Sequence, residues 1–301
     1  MNDLIFLSHR EIDFEKWDKA IDNSPLPFVF AKSFYLNTTT PDWHALVYKD
    51  YEAIMPLPIK KKYGITYLYQ PPFTPQLGVF GSESEQSVKL FISYISEHFK
   101  YIDITLNASN RTSSLNHIKR KTYVIDFTQS HQGRNENTKR NIQKAIKEKV
   151  TVETITGKTG VLKNCELYLF PKLTREYNAK KDELIILRRL IENAIDINAL
   201  TCLLTCNENK APSAIGLFIH TGRYAVFLKG FSLDKSNGSM HYLMHNAIEY
   251  YKEKVFFFDF GGGNDKEGLA RFYKGFGSKE CVYLQVRKNN LPKFVRWVKE
   301  I

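Results

Sequence analysis

The spacing of apolar residues changes several times along the first half of the chain. Residues 14–21 carry the three-to-four spacing of an amphipathic helix, and the turn Ser24-Pro-Leu-Pro27 separates it from a short helix near 32–36. From Trp43 the period falls to that of strands. Residues 43–48 and 51–59, split by Lys49-Asp50, predict a hairpin. The run Lys60-Lys-Lys-Tyr-Gly64 predicts a basic turn into a strand over 65–69, and the proline-laden 70–78 segment is too poor in backbone donors for a central strand. Apolar residues at 88, 91, 92, 95 and 99 then predict a helix over 85–99, followed by a strand over 101–106.

The second half repeats that order. Strands over 200–206 and 214–220 flank the turn Asn207-Glu-Asn-Lys210, and Thr221-Gly-Arg223 turns into a third strand over 224–230. Met240, Leu243, Met244, Ala247, Ile248 and Tyr251 mark a helix over 239–253, ahead of a buried strand over 255–260. Hairpin, third strand, helix and strand thus recur at an offset of about 155 residues. The repeat is one of pattern and not of letters. It predicts an α/β chain of two similar units in tandem, 1–130 and 131–301.

Between the two patterns lies a basic helix, 134–149. Arg134, Lys139, Arg140, Lys144, Lys147 and Lys149 stand against only Glu136 and Glu148, and Ile142, Ala145, Ile146 and Val150 form one apolar stripe. Asn137 or Thr138 is the expected cap. The helix is expected to dock on one side and to show cations on the other, either as a solvated face or as a binder of tRNA phosphates, a nucleotide-linked precursor or an anionic membrane surface.

Composition narrows the class. With 43% hydrophobic and 14% aromatic residues in 301, the chain is globular and not disordered. No apolar run approaches the ~18 residues of a membrane helix. The first residues offer only a short apolar stretch and no basic n-region, so no secretory signal is expected. Four scattered cysteines suit a reducing compartment, which makes the cytoplasm or its membrane surface the expected location. The net charge of +11 is uneven: residues 1–130 carry 14 basic and 14 acidic side chains, residues 131–301 carry 29 and 18. The excess points to a phosphate-bearing partner for the second unit.

The densest local pattern is Phe258-Asp-Phe-Gly-Gly-Gly-Asn-Asp-Lys-Glu-Gly-Leu-Ala-Arg-Phe-Tyr-Lys-Gly-Phe-Gly277. Glycines directly after a strand, Gly261 and Gly262 among them, let the backbone turn sharply and let a ligand approach it. The spacing is not a dinucleotide-binding fingerprint, and an ordinary strand–turn–helix connection has the same composition. A strand ending in Asp-Phe-Gly-Gly, then Gly-Leu-x-Arg-Phe-x-Lys-Gly-Phe-Gly, resembles the C-terminal signature of the Fem-type (FemABX-like) branch of the GNAT acyltransferase superfamily. The segment Asn137-Thr-Lys-Arg-Asn-Ile-Gln-Lys-Ala145 is similar to the Thr-Arg-Arg-Asn-Ile-Arg-Lys-Ala stretch with which such proteins enter their second domain. The resemblance follows the order of elements over most of the chain and is specific in 137–145 and 258–277.

That resemblance implies two tandem GNAT-like units, each a mixed sheet flanked by helices. It also implies transfer of an acyl or aminoacyl group from acyl-CoA or aminoacyl-tRNA to an amine, such as a peptidoglycan precursor. Lys274 matches the family's lysine and Tyr273 its aromatic neighbour. The chain departs from the GNAT pyrophosphate loop at Asp234-Lys-Ser-Asn-Gly-Ser239, which keeps one glycine, Gly238; helix N–H groups and Lys235 remain to bind an anion.

Acyl transfer needs a neutral nucleophile, an oxyanion partner and a proton for the leaving group. On this reading Lys274 and Tyr273 serve the developing charge, Asp259 binds the substrate amine, and Arg271, Lys139 and Arg140 hold phosphates. No metal is expected: His241 and His245 share a helix face without a third ligand. Cys202 and Cys206 read as small core residues, and no Ser or Cys sits in a G-x-S-x-G elbow. Sequence-specific reading of nucleic acid, DNA included, is not expected, since no RRM, KH or helix-turn-helix pattern occurs. The alternative is a non-catalytic GNAT-fold protein that binds phosphate-bearing ligands or RNA.

Overall fold

Short-range chemistry accounts for the first elements of the computed structural model, which describes residues 3–82, 84–112, 116–130, 133–234, 238–262 and 266–291. Strand β1 (Leu4–Leu7) leads to helix α1 (Phe14–Asp22), whose cap is Asp13: its carboxylate accepts from the N–H groups of Glu15 and Lys16, each at 3.1 Å. Helix α2 (Ser33–Thr39) follows, then β2 (His44–Tyr48), β3 (Ala53–Leu57), β4 (Ile59–Lys62), β5 (Ile65–Tyr69), β6 (Phe80–Gly81), α3 (Glu85–His98) and β7 (Tyr101–Thr105).

The three lysines expected in a turn form strand β4 instead. The turn is only Tyr63-Gly64, both at positive φ (50° and 77°), and such a pair closes a two-residue hairpin whose twist matches its strands.

The remaining elements are β8 (His117–Asp126), α4 (Glu136–Lys147), β9 (Thr151–Ile155), α5 (Lys158–Asn164), α6 (Phe170–Tyr177), α7 (Lys181–Asp196), β10 (Leu200–Cys206), β11 (Pro212–Thr221), β12 (Tyr224–Ser232), α8 (Ser239–Tyr251), β13 (Phe257–Asp259), α9 (Glu267–Lys274) and β14 (Lys279–Asn289). A π-helical turn, Cys165–Leu169, joins α5 to α6. The chain divides into two compact units, residues 1–120 with 282–301 and residues 121–281. The boundary expected at 130 therefore lies inside β8, and the chain returns to the first unit inside β14. Pairing decides this: Asp126, Ile125 and Val124 pair with β13, whereas residues 285–289 pair with β7.

In the first unit one sheet has the order β1-β2-β3-β6, and β4, β5, β7 and β14 lie side by side in that order. The predicted hairpin β2–β3 is present but belongs to the first of these sheets, so the tandem repeat is strict only for strand–helix–strand. Leu68 on β5 pairs in parallel with Ile102 on β7, with α3 between them in sequence. The core comprises Phe91, Ile92 and Ile95 of α3 against Leu46, Met55, Leu68, Ile102 and Ile104.

In the second unit the order is β8-β13-β12-β11-β10-β9, antiparallel except for the parallel pair β12–β13, with α8 linking those two strands. Leu243, Met244, Ala247, Ile248 and Tyr251 of α8 pack on Phe218, Phe258 and Phe260. Each unit is thus a mixed α/β layer built round a strand–helix–parallel-strand element.

Candidate functional site

Strands β12 and β13 pair for three residues only, Tyr224 to Val226 against Phe257 to Asp259, and then part. On β12 the ladder to β11 slips: Leu217 faces Lys229 and Phe218 faces Phe227, so Leu228 is an inserted bulge residue. On the other side the chain leaves β13 through Phe260, Gly261 and Gly262. A cleft of about 1000 Å³ opens where the two strand ends separate, lined by residues of the second unit alone. Ligand clefts form at the carboxyl ends of diverging parallel strands because no side chain can fill the gap between them.

Asp259 fixes this split. It is fully buried, and its carboxylate accepts from Thr122 Oγ1 (2.5 Å), from the Gly261 N–H (2.7 Å) and from the Tyr224 hydroxyl (2.7 Å). Burial raises its pKa above the ordinary 3.8, and the three donors oppose that rise. Its oxygens are engaged by protein donors, so the structure does not present Asp259 to a substrate amine.

Gly261 has φ +71°, and a Cβ there would stand 2.5 Å from the Phe227 carbonyl oxygen. Gly261→Ala is expected to cost about 2 kcal/mol or more, from left-handed strain plus the collision, and to lower the urea midpoint accordingly. An unchanged midpoint would remove Gly261 from the structural frame of the cleft.

Helix α8 opens onto the same space. It starts at Gly238 (φ +70°), which has no side chain to cap it, and Gly238, Ser239, Met240 and His241 all line the cleft. The first-turn N–H groups of a helix carry the positive end of its dipole. A side chain at Gly238 would strike the Asn141 carbonyl of α4. Helix α4 is likewise pinned at its start, where the Asn135 N–H donates to the Gly275 carbonyl at 2.9 Å. Its cap is Asn135, whose side chain accepts from the Thr138 N–H at 2.9 Å, and not Asn137 or Thr138. Asn135 precedes the first residue with helical backbone, which leaves the later two inside the helix.

The polar groups on the cleft wall are few. Lys229 on β12 is half-buried; desolvation lowers its pKa, with Glu183 opposing the fall and Lys266 adding to it. The Lys266 ammonium lies 4.4 Å from the centroid of the Tyr177 ring. Burial also lowers the pKa of His241, which keeps the imidazole neutral at pH 7, and its ring stands edge-on to Phe272 at 4.8 Å. Tyr273 packs on Phe260 (4.7 Å), and burial pushes its phenol well above the ordinary range. Neither His241 nor the Tyr273 hydroxyl has a hydrogen-bond partner among the described residues, although both line the cleft.

Of the residues singled out in the sequence, Tyr273, Gly238, Gly261 and Gly262 meet in this cleft. Lys274 does not. Successive residues of a helix point about 100° apart, so once Tyr273 faces inward Lys274 faces away. Its ammonium sits 3.5 Å from Glu280 and 5.6 Å from the centroid of the Tyr123 ring. Arg271 is exposed on the same helix and is absent from the cleft wall. Lys139 pairs with Glu136 at 2.7 Å, and Arg140 donates to Asn137 Oδ1 at 2.9 Å, so the basic helix lends the cleft only Asn141. Lys235 lies outside the described residues. Sequence reasoning missed Lys229 and Lys266, and it weighed His241 only as a metal ligand. The lysine sign inside an otherwise apolar strand, Tyr224–Ser232, was the available signal for Lys229.

No family model matches the chain, and no curated protein matches it in sequence. Solved structures do match its fold. FemX superposes with a TM-score of 0.70 at 11% identity, over 96% of this chain and 99% of that one. The C-terminal domain of an Agrobacterium fabrum protein assigned as a lysylphosphatidylglycerol synthetase gives 0.59 at 12% identity, over 95% and 94%. A tandem GNAT protein from the clavulanic acid biosynthesis pathway gives 0.52 at 10% identity, over 96% and 99%. The fold is therefore the tandem GNAT fold of the Fem type.

Proposed function

We propose that this protein transfers an acyl or aminoacyl group to an amine in the cleft of the second unit. The observation that carries the reading is the pairing, in one cleft, of a neutral imidazole and a phenol that have no partner among the described residues. They sit beside the start of α8 and two lysines. The amine lone pair attacks the carbonyl carbon of the donor while His241 takes the amine proton. The carbon–sulfur bond of a thioester, or the carbon–oxygen bond of an aminoacyl ester, then breaks, and the leaving thiolate or alkoxide takes its proton from the Tyr273 hydroxyl. Lys229, Lys266 and the α8 N-terminus supply positive potential for the donor's phosphates. Asp259 acts as a positioning residue that holds the Gly261 turn.

The test is binding and turnover together. Acyl-CoA, aminoacyl-tRNA and a nucleotide-linked peptidoglycan precursor, each added separately, are expected to include at least one that raises the melting temperature and one that supports transfer. No shift and no transfer with any of them would sink the enzyme reading in favour of a binding protein for other ligands.

A base that must be neutral also shapes the pH profile. The folded-state pKa of His241 lies below the ordinary 6.5, so activity is expected to fall only on the acid side of that value. His241→Gln is expected to lose that acid limb and to keep its fold. An unshifted limb in the variant would assign the base elsewhere.

A further inference from the structure

Hairpin β4–β5 of the first unit carries a charge and an exposure that the cleft does not use. Residues 53–82 contain no acidic side chain, and their only charged groups are Lys60, Lys61 and Lys62. At the tip, Tyr63 is 72% exposed, the highest value among the large apolar side chains of the described residues, ahead of Leu167 at 55%. The two-residue turn projects it, since Tyr63 and Gly64 both take left-handed backbone angles. Strand β4 is the outermost of its set, and lysines on an outer strand can serve simply to block pairing with another chain. That role does not explain a bare tyrosine at the tip, which adds apolar surface where blocking would remove it.

We infer that residues 60–63 dock this protein on an anionic lipid surface. A tyrosine places an apolar ring and a polar tip at headgroup depth, and lysines beside it reach lipid phosphates on long flexible stems. Near an anionic leaflet each lysine strengthens binding by about fivefold, so the three together supply roughly a hundredfold. Nucleic acid fits less well. Stacking a run of bases needs several open aromatic faces, yet Tyr67 is buried and the Lys60 ammonium lies over the Tyr69 ring (4.1 Å), which leaves Tyr63 alone on this hairpin. The inference is independent of the transfer reaction.

The experiment is cosedimentation of the full chain with vesicles of phosphatidylglycerol and phosphatidylcholine, against phosphatidylcholine alone. Binding is expected only with the anionic lipid and is expected to weaken as salt rises. The triple variant Lys60→Ser, Lys61→Ser, Lys62→Ser is expected to lose about a hundredfold in partitioning, and Tyr63→Ser several-fold with the salt dependence kept. Absence of binding to anionic vesicles, or equal binding by the triple variant, would overturn the inference. So would vesicle binding that survives in the triple variant while binding to single-stranded RNA is lost. If the triple variant does not fold, Tyr63→Trp decides: its emission shifts to the blue on anionic vesicles, and no shift refutes the docking.

Discussion

Replacing Tyr273 by Phe is expected to lower turnover by about 10²- to 10⁴-fold while leaving the fold intact, the range that a positioned general acid contributes. The ring is buried against Phe260 and Tyr123, and Phe keeps those contacts. The hydroxyl bonds to nothing among the described residues, so its removal orphans no donor or acceptor. A structural tyrosine would behave in the opposite way, with a lower melting temperature and unchanged kinetics. The readout is single-turnover rate and melting temperature on the same preparation. With a leaving group of lower pKa the deficit should shrink, because a weaker base needs less protonation. A deficit that ignores the leaving group would take the acid role from Tyr273.

Asp259→Ala is the change expected to cost most in stability, about 3 kcal/mol or more, since it removes the shared acceptor of the buried Thr122 and Tyr224 hydroxyls and of the part-buried Gly261 N–H. The effect should vary with pH in a defined direction. A folded-state pKa raised above the ordinary 3.8 means that the carboxyl contributes most when protonated, below that value. The contribution is lost as pH rises through the folded-state pKa. The gap between parent and variant, read from urea midpoints across pH, should therefore be widest in acid and narrow upward. A gap that widens with pH would mean that the three donors outweigh burial and that the native state holds the carboxylate ionised.

Much of the frame was legible in the residues. The helix stripe at 239–253 became α8, the hairpin at 200–220 became β10–β11, and the cysteines at 202 and 206 are buried in the core. These readings rest on local periodicity, which survives folding because an apolar stripe must be buried whatever covers it. Strands β8, β9 and β14 escaped the reading: each is part-exposed, with no clean alternation to mark it. The lysine strand β4 was misread as a turn because charge suggested a loop, whereas backbone angles at Tyr63 and Gly64 placed the turn after it.

The chemistry divides along the same line. The glycine-rich segment after β13 stood out because a sharp turn with close backbone approach favours glycine, and Gly261 and Gly262 border the cleft. Sequence adjacency misled at the next step. Lys274 neighbours Tyr273 in the chain, yet one residue of helical rotation turns it toward Glu280 and away from the cleft. The charge of the second half was read correctly as a total, but ion pairs such as Lys139–Glu136 and Lys149–Glu208 occupy much of the basic helix.

By itself the sequence determined two α/β units in tandem, the helix and strand that border the cleft, and the net basic charge of the second half. Periodicity, glycine content and charge are properties of neighbouring residues, and the chain carries them before it folds. Only the tertiary structure decided that Lys229, His241, Lys266 and Tyr273, spread over 45 positions of sequence, share one cleft, and that Asp259 braces it from behind. The reason is physical: that cleft exists only where β12 and β13 cease to pair, and strand pairing is a contact between distant residues that no local pattern encodes.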